Sequence, residues 1–366
     1  MSFIKIDKVH FHTFDSLRFL SFLLVFLYHA PIPKDNVLHY FCTAGGVGVS
    51  FFFVLSGFLI TYILIVEKIN NKGKIPLKKF FKRRILRIWP LYYATVLFAR
   101  CTPFILNFFN IPYSNKGYQP NWFFTLTFLE NYKMMAEKAM PNIAPLLVFW
   151  SLCVEEHFYI FWGLMFYFIS LKNIIKFLIG CIAFAFLMLT FYEKYDLDPM
   201  DLFTNIHNFA FGAIPAYIFV FHKEIIEKLG KITAIYKYFF GIFVIASIFI
   251  VVNTNIILDL RARSFFFSVL FSVLIFFTLG EKNVFKISDD TILANLGKYT
   301  YGSYLLHPIC ISLAVKMGEK YHFTWFSTTI MAFVFTLIFA YFSYHFFEKQ
   351  FLKLKNKSEK KVLPQL

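Results

Sequence analysis

The chain has 366 residues, 58% of them hydrophobic, with a mean hydropathy of +0.61 and 54 phenylalanines; several apolar runs reach the length that crosses a bilayer, which excludes a water-soluble globular domain. The formal charge of +16 is spread through short gaps between those runs, which fits retention on the cytoplasmic side of a membrane and argues against nucleic acid as a partner. Five isolated cysteines, Cys42, Cys101, Cys153, Cys181 and Cys310, contain no CxxC pair and imply neither a disulfide framework nor a zinc site.

Length and hydropathy predict an all-α, polytopic membrane protein of about ten spans, near 15–30, 46–66, 85–108, 145–169, 174–192, 202–222, 235–252, 262–280, 299–316 and 325–347. The polar start, MSFIKIDKVHFH, leads into the first span with no small-residue cleavage pattern, so that span is expected to remain. It reads DSLRFLSFLLVFLYHA and carries Arg18 near one end and His29 near the other. Eleven residues separate them, close to three helical turns, so both fall on one face about 16 Å apart along the axis. Facing lipid, either side chain costs several kcal/mol, so the pair is expected to line a protein interior or a wet cavity. A snorkelling arginine and a hydrogen-bonded core histidine are the alternative.

The second span opens GGVGVSFFFVLSGFLIT, where Gly45, Gly46, Gly48, Ser56 and Gly57 permit close helix approach. The gap after it is dense in Lys and Arg, from Lys68 to Arg84. At the start of span three, FFKRRILRIWPLYY sets Arg84 and Arg87 on one face with Arg83 beside them, a fork arrangement that suits phosphate oxygens. Positive-inside retention explains basic residues here; it does not explain why arginines take the membrane-entry positions. The connection Thr102 to Pro145 is too long for a passive turn, and its apolar centre, NWFFTLTFLENY, is too short to span, so it is expected in the interface or dipping into the protein.

Span four begins FWSLCVEEHFYIFW, with Ser151, Glu155 and Tyr159 at successive i, i+4 positions and Glu156 and His157 adjacent. Carboxylates inside a span are expensive, so a buried functional or pairing role is the default, with a structural polar knot as the alternative. Span nine carries YTYGSYLLHP, where Ser303, Tyr304 and His307 lie within about a turn, and Pro308 frees a backbone carbonyl. Glu348, in FFEKQF at the end of span ten, reaches the leaflet of the arginine cluster. Two blocks, Lys68–Arg84 and Lys349–Lys361, set the orientation: both are cytoplasmic, as is the N-terminus with Lys5 and Lys8. The expected organisation is a transmembrane domain over 1–348 and a basic cytoplasmic tail over 349–366.

Together, DSLRFLSFLLVFLYHA, GGVGVSFFFVLSGFLI, FFKRRILRIWPLYY, FWSLCVEEHFYIFW and LGKYTYGSYLLHP resemble, in order, the acyltransferase family 3 membrane proteins, bacterial O-acyltransferases of glycans. The family usually has Gln where His157 stands and commonly Asp near Ser50. The resemblance implies a bacterial inner-membrane enzyme that takes an acyl group, commonly acetyl from acetyl-CoA, at the cytoplasmic face. The acyl group goes to a hydroxyl of a cell-surface or lipid-linked saccharide such as lipopolysaccharide, with no metal. Some members carry a periplasmic transfer domain; with none after Leu366, direct modification by the membrane domain is the expectation.

Acyl transfer needs a base, a thioester holder and groups that meet oxyanion charge. His29, Glu155 and Arg18 are the catalytic candidates, with His29 as base and Glu155 orienting it or replacing it. Arg83, Arg84 and Arg87 are candidates for CoA; Ser151, Tyr159, Tyr304 and His307 would shape the acceptor site. Two readings compete: a glycan transporter or flippase using Arg18, Glu155 and His307 as an intramembrane path, and another membrane-bound glycan transferase or polymerase.

Overall fold

The computed structural model describes residues 6, 9–111, 116–254, 256, 259–280 and 285–360; the charges expected at Lys5, Lys8 and Lys361 lie outside the described residues, as do the side chains of 355–360. Among the described residues the chain is helical, and its only extended pairing is an isolated bridge between Tyr118 and Pro141. The principal helices are α1 (Thr13–His29), α2 (Gly45–Asn70), α3 (Leu77–Phe108), α4 (Phe149–Phe168), α5 (Ile174–Lys194), α6 (Leu202–Phe221), α7 (Lys223–Gly230), α8 (Ala234–Asn253), α9 (Leu260–Thr278), α10 (Thr300–Tyr321), α11 (Trp325–Phe342) and α12 (Lys349–Lys360).

Among the described residues six helical spans are long and apolar enough to cross a membrane, or seven if α6 and α7, bent by 101°, count as one span, which makes this a multi-pass membrane protein. The sequence reading expected ten. Counting the bent pair, the three expected spans that do not qualify correspond to α1, α3 and α10, for reasons of length in α1 and of polar and charged residues in the other two. With only 17 residues, α1 carries Arg18 and His29; α3 opens on lysines and arginines; α10 holds His307 and ends in charge.

The chain forms two compact units, one of Met1–Tyr28, Lys34–Pro76 and Ile160–Lys298, the other of His29–Pro33, Leu77–Tyr159 and Tyr299–Leu366. In the first, α2 and α6 cross with their backbones in contact. A Cβ on Gly57 would sit 2.2 Å from the carbonyl oxygen of Phe209, and one on Gly212 would sit 1.9 Å from that of Val54, so glycine is required at both positions. An aromatic core packs beside the crossing, with Phe51 stacked on Phe271 at 4.3 Å and Phe14 edge-on to Phe58 at 4.9 Å. Trp162 donates to Thr61 Oγ1 at 2.8 Å. The Lys68 ammonium donates to the carbonyls of Phe166 at 2.6 Å, of Tyr167 at 3.3 Å and of Ile169, covering acceptors that the end of α4 leaves without helical partners. At the start of α9, Asp259 accepts from the N–H groups of Arg261 at 2.8 Å and Ala262 at 3.0 Å, and from Arg261 Nη2 at 2.5 Å.

In the second unit, Tyr92 on α3 stacks on Phe128 at 4.0 Å, lies 4.6 Å from Phe149 of α4, and donates to the Thr125 carbonyl at 2.7 Å. The long connection folds back as two short helices, Trp122–Leu126 and Glu130–Glu137, and does not span. Its fully buried Glu130 accepts from the hydroxyls of Tyr118 and Thr125. α11 continues into a π-helical segment, Ser343–Glu348, which delivers Glu348 inward, where Ser343 Oγ donates to it at 2.9 Å.

Two outcomes follow for the first unit. Gly212→Ala forces backbone apart and is expected to destabilise by about 1–3 kcal/mol, lowering the thermal midpoint in detergent, while Gly46→Ala, with nothing within 4 Å, stays within about 0.5 kcal/mol of wild type. The Arg261 guanidinium and the Ala262 N–H hold the Asp259 carboxyl well below the usual carboxylate range. A depressed folded-state value means that its contribution is fully present above the unfolded carboxylate value near about 3.9 and is lost only as pH falls through the folded one. Hydrogen-exchange protection of the Arg261 and Ala262 amides, corrected for intrinsic rate, is therefore expected to hold from neutrality down to about pH 4 and to decline below it.

Candidate active site

The site grows from one proline. In an α-helix the carbonyl of residue i accepts from the N–H of i+4, and Pro308 has no N–H to give Tyr304. His307 takes that carbonyl instead, Nδ1 to O at 2.7 Å, which turns the ring back against its own helix in a fully buried position. Because a carbonyl only accepts, His307 Nδ1 carries the proton, and in the neutral ring Nε2 is the acceptor. His29, the last residue of α1, brings its Nδ1 to 3.3 Å from that Nε2, with the ring centres 5.0 Å apart. The same logic puts the His29 proton on Nδ1 and its lone pair on Nε2. A carbonyl that has lost its helical partner thus sets the tautomer of a histidine on another helix.

The chain of contacts continues through Tyr304. Its hydroxyl lies 2.5 Å from Ser151 Oγ, and Ser151 lies 3.1 Å from the Val148 carbonyl, so the tyrosine is held against the start of α4. One turn along α4 is Glu155, and another turn on is Tyr159, which donates to Glu155 Oε1. The Arg84 guanidinium sits over the Tyr159 ring, 5.7 Å from its centre, and 6.0 Å from that of Phe80. His29, His307, Tyr304, Ser151, Glu155, Tyr159 and Arg84 therefore form one continuous polar track within the second unit.

The arginines divide by depth. Arg83 is buried, Arg84 is half-buried and Arg87 is exposed, with Glu348 within electrostatic reach of Arg87. Arg84 Nε is buried and meets no acceptor among the described residues. Arg18 belongs to the first unit, where its Nη1 donates to Asp15 Oδ1 at 2.6 Å.

Two features were not singled out from sequence. The neighbouring Glu156, 7% exposed, accepts from Trp89 Nε1 at 3.2 Å, and its other oxygen meets no partner among the described residues. The EE pair was visible in the motif, but not the fact that its two members serve different neighbours. Glu155 was expected to orient His29 or to replace it as base; the structure sets His307 beside His29, a contact between helices that local spacing does not encode.

A family model described as an acyltransferase domain matches residues 11–345. Among curated proteins, the peptidoglycan O-acetyltransferase OatA of Listeria monocytogenes is 26% identical over 343 residues, 86% of this chain and 51% of the relative. A Staphylococcus aureus (MSSA476) protein provisionally named an O-acetyltransferase is 25% identical over 387 residues, 96% of this chain and 59% of its own length. The chain thus spans little more than half the length of these relatives. No solved structure shows significant similarity. The matched residues include both histidines of the track and the arginine cluster, and this chain belongs to the acyltransferase family 3 membrane proteins.

Proposed function

We propose that the chain is a membrane-bound O-acyltransferase that moves an acyl group, acetyl in the simplest case, from acyl-CoA to a hydroxyl of a cell-surface or lipid-linked saccharide. The observation that carries this reading is the hydrogen-bond chain from the Tyr304 carbonyl through His307 to His29, because it presents an unprotonated imidazole nitrogen with a defined identity. The name of the Listeria relative favours a wall glycan as acceptor. With α1, α3 and α10 added to the seven apolar spans, the helices number ten, both termini are cytoplasmic, and the arginine cluster faces the cytoplasm of a bacterial inner-membrane protein.

In the proposed reaction, His29 Nε2 removes the proton of the acceptor hydroxyl as its oxygen attacks the thioester carbonyl carbon. The carbon–sulfur bond breaks, the CoA thiolate leaves, and the proton held by His29 passes to that sulfur. Arg84 and Arg87, with Arg83 behind them, hold the CoA phosphates through charge-assisted hydrogen bonds. Arg18 meets negative charge on the donor or on the developing oxyanion. Tyr304, Ser151 and Tyr159 shape the acceptor side, and Glu155 fixes Tyr159.

Transfer of labelled acetyl from acetyl-CoA by the purified chain tests this. His29→Ala is expected to lower kcat by about 10²–10⁴-fold while CoA still raises the thermal midpoint. Arg84→Ala is expected to raise KM for acetyl-CoA with kcat at saturation retained. Wild-type turnover in His29→Ala, or saccharide movement across vesicles without acetyl-CoA consumption, overturns the reading.

A second outcome separates positioning from packing. Pro308→Ala restores an N–H that competes for the Tyr304 carbonyl and frees His307 to turn. kcat is expected to fall about 10–100-fold with an altered pH profile, while the thermal midpoint does not fall, since alanine is the better helix former.

A further inference from the structure

Ahead of α1, the segment Val9 to His12 is fixed by the core. Phe11 points inward, with ring centres 4.9 Å from Phe58, 5.0 Å from Tyr62 and 5.3 Å from Phe219, while His10 and His12 on either side of it are solvent-accessible. The segment is pinned further by the Val9 N–H, which donates to Tyr62 Oη at 2.8 Å. Thr13 ties it to the stretch after α9, donating to the Phe285 carbonyl at 2.9 Å and accepting from the Ile287 N–H at 3.1 Å. That second stretch delivers Asp289, one of whose oxygens lies 3.1 Å from His10 Nε2 and 2.6 Å from His12 Nδ1. The two imidazoles meet edge to face at 4.7 Å. All three residues belong to the first unit.

We propose that His10, His12 and Asp289 form a binding site for a divalent first-row transition metal ion, with zinc as the best fit. Two imidazole nitrogens and one carboxylate oxygen are the donor set such ions prefer, and the three ligand atoms all lie within 4.8 Å of one another. Tetrahedral zinc with bonds of about 2.0–2.2 Å separates its ligand atoms by roughly 3.3 Å. The His10–Asp289 edge is already within a few tenths of an ångström of that; the His12–Asp289 edge must open by about 0.7 Å, which a side-chain rotation supplies. Side-chain exposures of 62%, 41% and 36% for His10, His12 and Asp289 leave the remaining coordination positions open to water. Two segments some 277 residues apart in sequence are thereby clipped together at the entrance to α1, and the ion acts as a staple there.

Three-ligand binding predicts one zinc per chain for the chelator-stripped, full chain in detergent, purified without a histidine tag and measured by calorimetry. Cobalt is expected to give the visible d–d absorption of an ion with nitrogen and oxygen ligands. His12→Ala and Asp289→Asn should each weaken zinc binding at least tenfold and abolish the zinc-dependent rise in thermal midpoint. His222→Ala, which removes an imbalanced surface imidazole–carboxylate pair with Glu224, should change neither. No zinc uptake by the wild-type chain, or an affinity within twofold of wild type in Asp289→Asn, overturns the proposal and leaves the cluster as a hydrogen-bonded pairing alone. Because zinc uptake is read without acetyl-CoA, its failure is distinguishable from failure of the acyl-transfer reading.

Discussion

One missing hydrogen bond organises the functional half of this protein. A proline at position 308 denies the Tyr304 carbonyl its helical donor, and an imidazole one residue earlier fills the vacancy. In a membrane interior a bare carbonyl is costly, so the arrangement is stable for the same reason that it is useful. The acceptor that proline leaves unsatisfied fixes which nitrogen of His307 is protonated, and through a second ring which nitrogen of His29 is basic. A backbone defect becomes a proton address two side chains away.

The first unit rests on close packing. Backbones touch where α2 crosses α6, aromatic rings fill the space beside the crossing, and a lysine ammonium covers the open end of α4. Within bilayers, where apolar burial between helices contributes little, such close contact and polar bridging are the main sources of association. Both units bury polar groups, Asp201, His207 and Asn208 in the first and Glu156 and Glu348 in the second, at a cost that close packing and hydrogen bonding offset.

Much of this was legible in the sequence, and the limits have physical causes. The Arg18 to His29 interval, the i, i+4 run through Ser151, Glu155 and Tyr159, and the Pro308 break are local facts, and helical geometry converts them directly into shared faces. Which helix meets which is a long-range fact, so the hydrogen bond between His29 and His307 could not be read from local spacing. Hydropathy faltered for α3 and α10 because their polar and charged groups lower the apolar score, while α1, at 17 residues, is short for a span. The His10, His12 and Asp289 cluster left no trace in sequence, since HxH is common and its third member is hundreds of residues away.

The π-helical turn at Ser343–Glu348 has a bearing on how this chain tolerates change. Winding wider than an α-helix accommodates one surplus residue, so a single-codon deletion there would tighten the turn into ordinary α geometry. Everything C-terminal to it would then keep its phase about the helix axis, and Glu348 would stay on the face shared with Gly302, whereas the same deletion in an uninterrupted helix turns every later side chain by about 100°. A length change that would misalign a regular helix is, at this one point, absorbed by the backbone.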